Sequence, residues 1–142
     1  MIRDLEVGDV SKLEVQPKQA FYKSNIEGLA KSNQLYDAYA YLDNGEVQAV
    51  LGVQPHWQGR VAVWALLGSI SSWVMFHREV EELIKACIDK HGIIRLELTT
   101  EVGFHESERW AKMLGFKQES LMEKFGMDGK DHKMWVKICQ QQ

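Results

Sequence analysis

Proline is almost missing from this sequence: Pro17 and Pro55 are the only two in 142 residues. Scarcity of breakers excludes Pro-rich linkers and leaves long helices and strands uninterrupted. Cysteine is as scarce. Cys87 and Cys139 make no disulfide framework, and neither has a second cysteine at C-x-x-C spacing, so no metal site is indicated. No apolar run reaches the roughly 20 residues of a membrane helix; Val61 to Ile70, the longest, is about half that. Met1-Ile2-Arg3-Asp4-Leu5-Glu6 alternates charge and lacks the apolar core of a signal peptide. A surplus of one charge is missing too. Seventeen Lys and Arg face 20 Asp and Glu, a net charge of −3, which leaves no electrostatic footprint for nucleic acid or an anionic membrane. The expectation is a reducing, cytoplasmic setting without metal, nucleic acid or membrane.

What is present suits one folded domain over residues 1–142, with 45% hydrophobic and 26% charged residues. Ile2 to Leu5 reads as a short strand. Asp9 stands as an N-cap before Val10 and Leu13, and Pro17 stops that helix. Residues 18 to 32 carry a weak helical stripe of Phe21, Ile26, Leu29 and Ala30. Asp37 to Leu42 and Glu46 to Gln54 alternate around Asp43-Asn44-Gly45, a hairpin whose second strand puts Val47, Ala49, Leu51 and Val53 on one face. Pro55 to Arg60 reads as a loop. Val61 to Leu67 is apolar on both faces, the mark of a strand covered by helices.

From residue 74 the period turns helical: Phe76, Val80, Leu83, Ile84 and Cys87 form one stripe that ends at Gly92, with Cys87 a buried free thiol. Ile93 to Thr99 reads as a strand with Ile94, Leu96 and Leu98 on one face. A helix around His105 to Met113 stops at Leu114-Gly115. Phe116 to Phe125 and His132 to Ile138 flank Gly126-Met127-Asp128-Gly129 as a second hairpin, and Gln140-Gln141-Gln142 reads as a fraying end. The order β-α-α-β-β-β-α-β-α-β-β, with one right-handed β-α-β crossover, predicts an α/β (α+β) mixed sheet with helices on both faces.

Trp110-Ala111-Lys112-Met113-Leu114-Gly115-Phe116, followed by Met127-Asp128-Gly129-Lys130-Asp131-His132, resembles the final helix and hairpin of the GNAT acetyltransferase superfamily. The preceding strand, helix and strand are similar to that superfamily's central core. The resemblance implies a GNAT-like acyl-CoA N-acyltransferase fold, acetyl-CoA as donor in the cleft between the fourth and fifth strands, and a primary amine as acceptor. A narrower resemblance runs through Gly59-Arg60-Val61-Ala62-Val63-Trp64-Ala65-Leu66-Leu67, Phe76-His77-Arg78 and Phe104-His105-Glu106-Ser107-Glu108-Arg109-Trp110-Ala111. It points to small GNAT-like proteins of bacteriophages and implies the alternative: a non-catalytic protein acting through protein–protein contacts, as in virion assembly.

The same resemblance assigns the site. Leu66, Leu67, Gly68, Ser69, Ser71, Ser72 and Trp73 stand where acyl-CoA is held. Glycines belong in that loop, because they let backbone N–H groups approach a pyrophosphate at a helix start. Here Trp73 and Met75 replace them, leaving Ser71 and Ser72 as hydroxyl donors or as helix caps. Ala111 falls where a tyrosine acid is usual, and Phe104 where an asparagine is usual. Val61 to Leu67 offers no carboxylate. Glu101, His105 and His56 are then the candidates for moving the acceptor's proton. Each has a plainer reading: Glu101 a solvated loop carboxylate, His105 a helix-start residue beside Glu106, His56 a solvated loop histidine. Trp64 and Trp135 read as core, whereas Trp57 and Trp73 could line a groove or an interface.

Overall fold

The computed structural model describes residues 1–31 and 37–139. The expected helix end at residue 32, the side chain of Phe21 and the tail Gln140-Gln141-Gln142 lie outside the described residues. In chain order the elements are β1 (Ile2–Asp4), α1 (Asp9–Lys12), a 3-10 turn (Pro17–Gln19), α2 (Ala20–Lys31), β2 (Ala38–Asp43), β3 (Glu46–Trp57) and β4 (Arg60–Leu67). There follow α3 (Trp73–His91), β5 (Arg95–Glu101), α4 (His105–Met113), β6 (Lys117–Met122) and β7 (His132–Ile138). The seven strands form one mixed sheet, β1-β2-β3-β4-β5-β7-β6, with β4 and β5 parallel. This is the mixed α/β class and the element order that the pattern predicts. No helix among the described residues is long and apolar enough to cross a membrane. The chain gathers into two compact units, Met1–Gln54 with Trp64–Ile84, and Pro55–Val63 with Lys85–Gln142.

In the first unit β3 is buried on both faces. On one, Val50 packs with Val10, Leu13 and Leu66, each 2% exposed or less, and Tyr22, Ile26 and Trp64 lean on this cluster. Each such fully buried side chain stabilises by about 1.5–3 kcal/mol. On the other face Ala49 pairs with Tyr41, whose ring meets Phe76 of α3 edge-on at 4.8 Å. Gly52 makes the first face possible: a Cβ there would stand 2.1 Å from Cζ2 of Trp64.

Two expectations fail here. Asp9 is not the helix cap; Gly8 holds that place at φ 94°. The Asp9 carboxylate is 1% exposed, and it accepts from Arg3 at 2.8 and 3.0 Å and from the Glu6 N–H at 2.7 Å. Burial alone would raise its pKa, but the bonds from Arg3 and Glu6 outweigh that and hold it low. Nor does Pro17 stop α1, which ends at Lys12. It opens the 3-10 turn, where its missing N–H has no partner to lose.

In the second unit β5 has two unlike faces. Leu98 pairs with Trp135, which is 2% exposed and donates its indole N–H to Thr100 Oγ1 at 2.8 Å. Lys112 of α4 lies over that indole, and Lys137 donates to the Leu114 carbonyl at the end of α4. The alternation of a strand therefore places Arg95, Glu97, Thr99 and Glu101 on the face away from α4. Pro55 to Arg60 is not a loop: β3 runs to Trp57 and β4 begins at Arg60, because Gly59 at φ 91° reverses the chain within two residues. Ile94 does not join Leu96 and Leu98. It precedes β5, is 54% exposed, and donates its N–H to the Gly59 carbonyl. β4 is less covered than its apolar sequence suggests, with Ala62 to Ala65 only half-buried.

Candidate functional site

The segment from Leu66 to Trp73 is built into the first unit by two glutamines. Gln19 donates from Nε2 to the Ala65 carbonyl at 2.7 Å and accepts the Leu67 N–H at 2.7 Å. Its carboxamide thus meets the β4 backbone as a neighbouring strand would. The Leu67 carbonyl takes the Gln16 N–H at 2.8 Å. Gln48, 8% exposed on β3, accepts the Ser71 N–H at 3.0 Å and donates to Ser71 Oγ. Its own carbonyl takes the Gly68 N–H at 2.9 Å. Gly68 has no room for a side chain, since a Cβ would stand 2.7 Å from the Glu14 carbonyl oxygen.

Ser72 is the N-cap of α3: its Oγ accepts the Met75 N–H at 3.3 Å, and its carbonyl the Phe76 N–H at 3.0 Å. Ser69 and Ser71 are exposed. So are Trp73 (43%), Val74 (70%) and Met75 (49%), although the Trp73 ring stands edge-on to Phe76. Ser72→Ala should remove the cap bond and cost about 1 kcal/mol of stability in urea unfolding. An unchanged midpoint would mean that the hydroxyl is idle.

The second unit holds the three candidate proton carriers and a buried ion-pair group around Glu97. Glu97 lies 2% exposed on the polar face of β5. Its oxygens accept from Arg60 Nε and Nη2, both at 3.0 Å, and from Arg95 Nε. Arg95 also forms a two-pronged pair with Glu119 at 2.9 and 2.7 Å. Burial would raise the Glu97 pKa; the bonds from Arg60 and Arg95 outweigh it and lower the pKa. Arg95 is pushed up by its bonds to Glu119 and then Glu97.

The three candidate proton carriers fall in different groups. His56, in β3, sits 3.9 Å from Glu97 Oε1 and beside Trp57; the Arg60 guanidinium covers the Trp57 ring at 4.5 Å. His105 opens α4 and meets Glu108 Oε2 at 3.5 Å, while Glu108 Oε1 pairs with Lys133 at 2.6 Å. Glu101 closes β5 as a buried carboxylate, 3.6 Å from Lys130 Nζ, and its register partner on β7 is His132. Among the described residues no group of three His, Cys, Asp or Glu is arranged to hold a metal ion. Glu97, Arg60, Arg95 and His132 escaped the sequence reading. For Arg95 and Glu97 the signal was Arg95-Leu96-Glu97-Leu98, in which charge alternates with leucine; Arg60 and His132 carried none.

No family model matches the sequence, and neither does any curated protein. Solved structures do. The chain superposes on Ard1 from Thermoplasma volcanium with a TM-score of 0.80 at 12% identity, covering 99% of this chain and 98% of that one. The GNAT-family acetyltransferase from Bacillus anthracis gives 0.74 at 10% identity, covering 96% and 93%. The fold is that of the GNAT acetyltransferases. The protein yncA of Salmonella typhimurium, solved with its cofactor acetyl-CoA, shares this GNAT fold with a TM-score of 0.76 at 14% identity, covering 100% and 95%. The two positions where the sequence resemblance led to the expectation of a tyrosine and an asparagine, Ala111 and Phe104, both bury their side chains. Ala111 is 1% and Phe104 8% exposed, and the Phe104 carbonyl serves α4 by accepting the Glu108 N–H and the Ser107 hydroxyl.

Proposed function

We propose that residues 1–142 act as one GNAT-like domain that transfers an acetyl group from acetyl-CoA to a primary amine, using a loop without the usual glycines. The observation that supports this is the end-to-end likeness to GNAT acetyltransferase structures, one of them solved with acetyl-CoA. In this reading Leu66, Leu67, Gly68, Ser69, Ser71, Ser72 and Trp73 hold the donor, and Glu101, His105 or His56 takes the acceptor's proton. For these residues to hold an acyl-CoA, one side chain must move. The Leu67 N–H, a backbone donor of the kind that polarises a thioester carbonyl, is held by Gln19, so that side chain must yield. Bound acetyl-CoA supplies the activated acyl group; the chain's part is to fix it and to accept a proton. Free thiol released from acetyl-CoA in the presence of a panel of primary amines, with mass gain on the amine, tests the reading. No thiol release with any amine at saturating donor would overturn it.

A second reading has its own observation. Trp73, Val74 and Met75 are exposed together at the start of α3, and the Ser71 and Ser72 side chains are engaged internally. Both suit a non-catalytic phage protein that binds another protein through this segment, as in virion assembly; exposed Trp57 is a further anchor of the kind that dominates interfaces.

A further inference from the structure

On the polar face of β5, at its carboxyl end, two buried ionisable side chains stand together. Glu101 and His132 are each 8% exposed and are direct register partners in the antiparallel β5–β7 pair, which places their Cβ atoms about 4.5–5.5 Å apart on one face. The Phe125 ring stands edge-on to the imidazole at 5.7 Å. The turn from 123 to 131 wraps this end of the pair: the Val102 N–H donates to the Asp131 carbonyl, and the Lys124 N–H to Asp131 Oδ1. Lys130, on the same turn and with its side chain 62% exposed, brings its ammonium to 3.6 Å from Glu101 Oε1 and 3.9 Å from Asp128 Oδ2. An alkyl ammonium on a flexible, solvent-exposed arm therefore already reaches the buried carboxylate from outside.

We infer that Glu101 and His132 form the proton-accepting pair for the amine substrate, and that Lys130 occupies the acceptor's position until that amine displaces it. This rests on the acetyl-transfer reading above. The charged groups acting on His132 include Glu101 from β5 and Asp128 and Asp131 from the turn; Lys130 pairs with Glu101 and Asp128, and Glu108 and Lys133 pair with each other at α4. Burial lowers the His132 pKa, against the opposing pull of Glu101, Asp128 and Asp131, which favours the neutral imidazole, the form that takes up a proton. The incoming ammonium pairs with Glu101 in place of Lys130. One N–H bond of the ammonium breaks, its proton passes to the His132 imidazole, and Glu101 steadies the imidazolium. The freed amine lone pair then forms the N–C bond as the C–S bond of the thioester breaks. The second amine proton neutralises the departing thiolate, and His132 returns its proton to water.

The first test needs no acetyl-CoA. The imidazole Cε1–H signal of His132 is followed by NMR while n-butylamine is added to the wild type and to Lys130→Ala. The expected result is a saturable shift in both, with half-saturation at least tenfold lower in Lys130→Ala, and its loss in Lys130→Ala with Glu101→Gln. An unmoved signal in Lys130→Ala, or equal half-saturation in the two proteins, overturns the inference whatever the enzyme does. In the acetyl-transfer assay, Lys130→Ala should lower KM for the amine with little change in kcat. His132→Asn should lower kcat at least tenfold and remove the acid limb of the pH profile. Full kcat in a folded His132→Asn protein overturns the pairing while leaving acetyl transfer intact. Failure to release thiol, with the NMR shift present, counts against acetyl transfer alone.

Discussion

Glu97→Ala should lose about 3 kcal/mol of stability, the lower end of what breaking a buried ion pair costs. Glu97 is 2% exposed and accepts from two arginines whose side chains are only 30% and 29% exposed. Removing it leaves Arg60 and Arg95 close together with half their partners gone. The loss stays at the lower end because Arg95 keeps Glu119 and Arg60 keeps the Trp57 ring. Glu97→Gln, which retains an acceptor and the shape, should cost about half as much. The pH dependence has a definite sign. The Glu97 pKa is lowered in the folded protein from an ordinary value of 4.5, so its stabilisation is complete above that value and disappears as pH falls through the folded pKa. Asp9, lowered for the same reason by Arg3 and Glu6, adds to the same acid limb. Urea unfolding of wild type and Glu97→Ala should therefore differ by the full amount at pH 7 and converge toward pH 2. A constant gap across that range would mean that packing, and not charge, is what Glu97 supplies.

Gly52→Ala should be as damaging, for a steric reason. The new methyl would lie 2.1, 2.2 and 2.5 Å from Cζ2, Cε2 and Nε1 of Trp64. The indole cannot swing aside freely, because it is packed on the cluster of Val10, Leu13, Val50 and Leu66. Overpacking of this kind costs about 1–3 kcal/mol, and the upper end is expected where the obstacle is a rigid ring. The coupling to Trp64 is the decisive feature. In a Trp64→Leu background Gly52→Ala should cost under about 1 kcal/mol, a non-additivity that thermal or urea unfolding of the four proteins measures directly. Equal costs in both backgrounds would place the strain elsewhere.

These two sites show what the sequence could carry and what it could not. The hairpin at Asp43-Asn44-Gly45 and the helix His105–Met113 were legible because each is set by adjacent residues: a turn that needs positive φ, an amphipathic stripe with a glycine stop. The β3–β4 turn was not, because Gln58-Gly59 is a weaker turn signal and Pro55 suggested a break. Gln19 and Gln48 carry no local mark at all. Each uses a side-chain amide to bond backbone 46–48 and 23 residues away, and only the folded chain brings such partners together. The Glu97 group was half visible. The leucines of β5 marked the inner face of the strand, but Glu97 between them was not singled out and Glu101 was read as a solvated loop carboxylate, whereas both are buried. The serines of the loop were ambiguous in the sequence. The structure gives Ser72 to the α3 cap and ties Ser71 to Gln48.

Calorimetric titration of acetyl-CoA into the wild type and into Gln19→Ala tests donor binding most directly. The GNAT reading predicts saturable one-to-one heat in both proteins, and tighter binding in Gln19→Ala, where the Leu67 N–H no longer has to be freed. No heat at millimolar acetyl-CoA in either protein, with both folded, would contradict it and leave the protein-binding reading of Trp73, Val74 and Met75.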